Sequence, residues 1–63
     1  MTVSDLVNAL ARLPEREAKV IVLRFVMGLT FVEVGEVLGV SRARVWQLQK
    51  TAVTRMRKRM RAL

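Results

Sequence analysis

Residues 41–63 hold eight basic side chains, Arg42, Arg44, Lys50, Arg55, Arg57, Lys58, Arg59 and Arg61, and no acid. Residues 1–40 set Arg12, Arg16, Lys19 and Arg24 against Asp5, Glu15, Glu17, Glu33 and Glu36, so the whole +7 excess of the chain sits in one segment. Such a concentration attracts polyanions, nucleic acid first among them. An anionic membrane surface or an acidic protein would also be drawn to it. Among the bases of "GVSRARVWQLQK" (39–50) stand Trp46, Gln47 and Gln49. Glutamine and arginine pair bidentately with adenine and guanine on their major-groove edges. The chain has no histidine and no cysteine, which removes thiolate metal sites, disulfides and the usual general base. No nucleophile stands beside a base, carboxylates are not paired, and no glycine-rich loop could cradle a phosphate. Neither catalysis nor a cofactor is expected.

The elements that must position these side chains are helical. With 63 residues, 52% of them hydrophobic and few aromatic, the chain suits one small domain of packed helices spanning 1–63. Ser4 is the expected cap of a first helix carrying Leu6, Val7, Leu10 and Leu13 at helical spacing. Pro14 fits the first position of a second helix, with Glu15 and Glu17 near its positive end and Gly28 just past its close. Ala18, Ile21, Val22, Phe25 and Val26 predict its buried stripe. The run "VIV" would also suit a strand, but the proline start and glycine stop favour helix. Thr30 with Glu33 three residues on has the pattern of a capping box, and this third helix ends at Gly39. Gly35 inside it weakens the helix by about 1 kcal/mol against alanine, which a close approach of another helix would explain. Ser41 then caps a long helix from Arg42 to about Arg61, roughly 30 Å at 1.5 Å per residue. A short helix, a glycine-containing turn and a capped second helix make a helix-turn-helix over about 30–61. The predicted class is an all-α, four-helix domain with a C-terminal helix-turn-helix and a long recognition helix.

On that last helix Val45, Leu48, Ala52 and Met56 form the inward stripe, while Ala43, Trp46, Gln47, Lys50, Thr54, Arg57 and Arg61 face away. The start of the outward face is small, aromatic and amide-bearing, and its end is cationic. The first residues of a recognition helix meet base edges, so Arg42, Arg44, Gln47 and Lys50 are the candidate DNA contacts. Each has a plainer alternative. Lys58, Arg59 and Arg61 suit a solvated face, and Ser41 is first a cap and then a phosphate contact. Met56 and Met60 suit packing, and Arg24 suits either a snorkelling side chain or a phosphate clamp. Trp46 suits either a half-buried packing role or a contact surface. The remaining acids read as caps and surface charges.

"LPEREAKVIVLRF" followed by "LTFVEVGEVLGVSRARVWQLQKTAVTRMR" resembles region four of bacterial RNA polymerase sigma factors of the housekeeping-related type. The resemblance runs over residues 6 to about 59. It rests on ordered elements: the L-P-E-R-E opening, L-R-F, T-x-x-E-V-G-E-V-L-G-V-S-R, R-V-x-Q and the A-V-x-R-M-R tail. It implies a domain that binds double-stranded promoter DNA at the −35 element and docks on the β-subunit flap of the polymerase core through an apolar groove. By position it implies base contacts at Arg42, Ala43, Trp46 and Gln47, phosphate-facing surroundings at Arg44 and Lys50, and backbone contacts at Arg24 and Thr30. It implies a flap-binding groove at Phe25, Met27, Val53 and Met56.

Housekeeping members of that family usually carry glutamate at the position of Ala43 and arginine at that of Trp46. A glutamate accepts a hydrogen bond from cytosine, whereas alanine offers only a methyl contact, for example to thymine. The competing expectation is a protein-interaction module that binds the polymerase, an anti-sigma factor or an activator without reading DNA. Trp46, Val53 and Met60 on one side of the last helix would then be the partner surface. The chain is also expected to be an excised domain or a small standalone protein, the latter phage-encoded or regulating a host polymerase, and to be cytoplasmic and nucleoid-associated. A membrane role is not expected, because the apolar stripe is needed for the core.

Overall fold

The structure, a computed structural model, describes residues 2–61, with side chains described through Arg59. It contains α1 (Val3–Ala11), α2 (Glu15–Ile21) running on into a π-helical turn (Val22–Val26), α3 (Phe31–Leu38) and α4 (Arg42–Arg61), with no strand among the described residues. The all-α helix-turn-helix architecture is therefore the one observed. The 20 residues of α4 set the long dimension of the molecule, 34 Å, and α1, α2 and α3 all pack along it.

Local chemistry explains most boundaries. Thr2, rather than Ser4, caps α1: its Oγ1 accepts from the Asp5 N–H at 3.2 Å and Asp5 Oδ2 accepts from the Thr2 N–H at 3.1 Å. A carboxylate three residues after the cap makes the bond reciprocal, and Val7 in the same relation to Ser4 has nothing to return. Pro14 is the N-cap of α2, one position before the expected one, with extended backbone. At the far end Gly28 has φ +72°, the left-handed stop expected of it.

The second helix departs from expectation in its last turn. Met27 N–H donates to the Val22 carbonyl five residues back, and Leu29 N–H donates to Leu23. A turn with one extra residue slips the following side chains around the axis. The predicted stripe holds at Ala18 and Ile21 and is lost beyond them, where this turn begins. Val20 and Ile21 are buried, but Phe25 is 59% and Val26 74% exposed, and Val22 is exposed as well.

Two apolar clusters share α4. At the helix-turn-helix end Val20, Val34, Val45 and Leu48 pack with Leu23, Leu29, Phe31, Leu38 and Val40. Toward the other end Leu13, Ile21 and Ala52 pack with Leu10, Ala18, Val53 and Met56. Val45, Leu48, Ala52 and Met56 thus form the inward stripe of α4 as its periodicity predicts. Gly35 has a specific reason to be glycine: a Cβ there would lie 2.6 Å from the Val40 carbonyl oxygen. The close neighbour is the backbone of the turn, not another helix. Glu17 corrects the expectation of surface acids. It is 6% exposed, with Oε2 3.6 Å from Arg55 Nη1 and Oε1 buried without a hydrogen-bond partner.

Candidate nucleic-acid interface

The turn before α4 fixes which residues face outward. Ser41 Oγ accepts from the Arg44 N–H at 3.1 Å, and the Val45 N–H closes onto the Ser41 carbonyl at 3.0 Å. With Val45 and Leu48 pinned in the core, a 100° step per residue leaves Arg42, Ala43, Arg44, Trp46, Gln47 and Lys50 exposed on the first turns. Every predicted contact on α4 is therefore solvent-accessible, Ala43, Trp46, Gln47 and Lys50 on one side with Arg42 and Arg44 at its two edges. Arg44 Nη1 donates to Gln47 Oε1 at 3.4 Å. That oxygen is the atom glutamine would offer to an adenine N6 amino group, so the internal bond must yield for such a contact to form.

Trp46 is 51% exposed, which decides against a core role. Its ring lies under the Lys50 ammonium, 5.2 Å from Nζ to the ring centroid. Together with Phe31, Arg42 and Ala43 it lines an open trough of about 430 Å³. Phe31 was not among the expected site residues. Its place at the start of α3, directly after the capping Thr30, is the signal in the sequence, but only the packing of α3 against α4 brings its ring beside Trp46.

Arg24 stands behind this wall. Its Nη1 donates to the Leu29 carbonyl at 2.6 Å and its Nε to Gln49 Oε1 at 3.3 Å, while the guanidinium lies 4.3 Å from the centroid of Phe31. The side chain ties α2's π turn to the loop, to α3 and to α4. Thr30 is exposed and works as a cap, its Oγ1 accepting from the Glu33 N–H at 3.2 Å and its N–H donating to Glu33 Oε1 at 2.9 Å. The bond from the Thr30 backbone, and then that of its side chain, holds the Glu33 carboxyl below its ordinary value.

A second feature lies on another side. Leu6, Leu10, Ile21, Phe25, Val53 and Met56 line an apolar groove of about 300 Å³ between α1, the π turn and α4. It gathers three of the four residues expected there. Met27 is exposed but is not part of the lining. Leu6 and Leu10 complete it from α1, a contribution their helical spacing signals only as core. Trp46 lines the trough and Val53 the groove, and the Met60 and Arg61 side chains lie outside the described residues. No group of three or more acidic, histidine or cysteine side chains able to hold a metal ion occurs among the described residues. No described helix is long and apolar enough to cross a membrane.

A family model described as Sigma-70, region 4 matches residues 9–58. The RNA polymerase sigma factor FliA of Pseudomonas aeruginosa is 47% identical over 55 residues, covering 87% of this chain and 22% of that protein. The RNA polymerase sigma-B factor of a Nostoc species is 38% identical over 58 residues, 86% of this chain and 18% of the relative. The RNA polymerase sigma-G factor of Clostridium acetobutylicum is 40% identical over 51 residues, 81% and 20%. The chain thus spans about a fifth of the length of these relatives. No solved structure matches.

Proposed function

Because this chain belongs to the sigma-70 region 4 family, we propose that residues 1–63 form one non-enzymatic promoter-reading domain of transcription initiation. In this reading α4 enters the major groove of −35-like DNA by its first turns, with Arg42, Ala43, Trp46 and Gln47 at base edges. Arg44, Lys50 and Ser41 serve the flanking phosphates and Thr30 the backbone beside α3, while Arg24, bonded to Leu29 and Gln49, braces that face from behind. The observation that carries it is the joint exposure of these α4 side chains, fixed by the Ser41 cap and the buried Val45 and Leu48, on a segment holding eight bases and no acid. The work of such a domain lies on the nucleoid of a bacterial cytoplasm.

Duplex binding by the chain should weaken steeply as salt rises, because each neutralised phosphate releases counterions. Gln47→Ala should relax base choice at one position. Binding that ignores salt, or an unchanged sequence preference in that variant, would count against the reading.

The apolar groove favours a second contact, with the β flap of RNA polymerase through Phe25, Val53 and Met56, and Met27 at its margin. Phe25→Ser should abolish capture of the isolated flap and leave duplex binding intact. If the chain captured polymerase or an anti-sigma or activator protein but never bound duplex, the protein-interaction reading would replace the DNA-reading one.

A further inference from the structure

We propose that the trough between α3 and α4 is a selectivity pocket for the C5-methyl group of thymine, with Trp46 and Phe31 as its walls and Ala43 as its floor. The inference rests on the DNA-reading function above and names what that surface selects. Surfaces that meet nucleic acid are more polar and more positively charged than those that meet protein. Here an apolar trough of about 430 Å³ opens beside Arg42, with Lys50 stacked on its tryptophan wall and no acid anywhere from residue 41 onward. Those two cations fit a phosphate-bearing partner, and the apolar trough beside them fits an apolar group. In the major groove the four bases present donors and acceptors, and only thymine adds a methyl group.

The walls are held before any ligand arrives. Phe31 lies under the Arg24 guanidinium, which is itself fixed to the Leu29 carbonyl and the Gln49 amide. Trp46 is braced by Lys50 above it, and its helix is anchored by fully buried Val45. A pocket set in this way loses little freedom on binding. Alanine at 43 keeps the floor open, and a longer side chain there would occupy the space.

The test uses the whole chain and a duplex enriched by its binding from a randomised pool. Each thymine of that duplex is then replaced singly by uracil, which removes the methyl and keeps every hydrogen bond. One or two positions should lose about fourfold in affinity, the worth of one buried methyl. Trp46 is the only tryptophan of the chain, so its fluorescence should change on binding, and change less with uracil at those positions. Trp46→Ala should erase the thymine–uracil difference. Ala43→Glu should move the preference at the same position from thymine toward cytosine, whose N4 amino group a carboxylate accepts. An enriched duplex in which no uracil substitution matters would overturn the pocket and leave the DNA reader standing. Failure to enrich any sequence, with no salt-sensitive binding, would remove both.

Discussion

The two ends of this small domain solve opposite problems with the same kinds of side chain. At the helix-turn-helix end Val20, Val34 and Val45 are fully buried, Thr30 and Ser41 cap the two helices, and Arg24 ties three segments together. At the α1 end Val3, Val7, Val26 and Phe25 remain exposed around an apolar groove. A chain this short buries only part of its surface. The largest fully buried side chains, Val20, Val34 and Val45, lie where α3 meets α4, while Leu13, Ile21 and Ala52 form a second, smaller cluster. The closed end presents its outward face as a rigid template. The open end keeps apolar surface that isolated helices would gain by covering.

The strongest way to break this comparison is to make the same cut at both ends. Leu48→Ala opens a cavity in the closed cluster and should cost roughly 2–5 kcal/mol, enough to leave much of so small a domain unfolded. Leu6→Ala, at a partly exposed position in the groove, should cost less than about 1 kcal/mol. Urea titrations followed by helical circular dichroism measure both, and equal losses would show that the two ends are equally packed. Gly35→Ala probes the closed end by overfilling it. The helix gains about 1 kcal/mol from alanine, but the new Cβ meets the Val40 carbonyl, and overpacking costs about 1–3 kcal/mol. A net loss of up to about 2 kcal/mol is expected in the same titration, and a stabilised variant would mean that the turn yields freely.

How far the sequence exposed this arrangement depends on the range of the interactions. The Thr30 box, the Ser41 cap, the glycine stops and the inward stripe of α4 follow from neighbours within four residues, and they were legible. The cap of α1 was misplaced because Ser4 and Thr2 are both cap formers, and only the reach of Asp5 chooses between them. The π turn was hidden because it depends on where Met27 and Leu29 find their carbonyls. Burial of Glu17 depends on Arg55, far along the chain, and the trough needs Phe31 from α3 beside Trp46 from α4. Local chemistry set the helices and their outward faces, while the pocket arose from pairing two of them.

Arg24→Lys tests whether the closed end is also the rigid one. Lysine keeps the charge but cannot lie flat on Phe31 while reaching both Leu29 and Gln49. A loss of about 1.5 kcal/mol is expected, the lower end for a hydrogen bond to a charged group, because lysine can keep one of the two partners. Thymine–uracil discrimination should shrink as the Phe31 wall loosens. Full stability with full discrimination would place the rigidity elsewhere.

Glu33→Ala gives the smallest effect and the one that pH resolves. In the folded chain the Glu33 carboxyl lies below its ordinary value because the charged form accepts from Thr30. A depressed carboxyl stabilises the fold above its unfolded value, and that contribution is lost as pH falls through the folded value. At neutral pH the variant should therefore unfold at slightly lower urea than the parent. The gap should close in acid below the ordinary carboxylate range, where the parent has lost the same contribution. The Thr30 side chain can still accept from the residue 33 N–H in the variant, so one half of the box survives and the helix start should hold. A gap of constant size from neutral to acid pH would show that the loss does not come from the charged cap, and helix propensity could not supply it, since alanine is the better helix former.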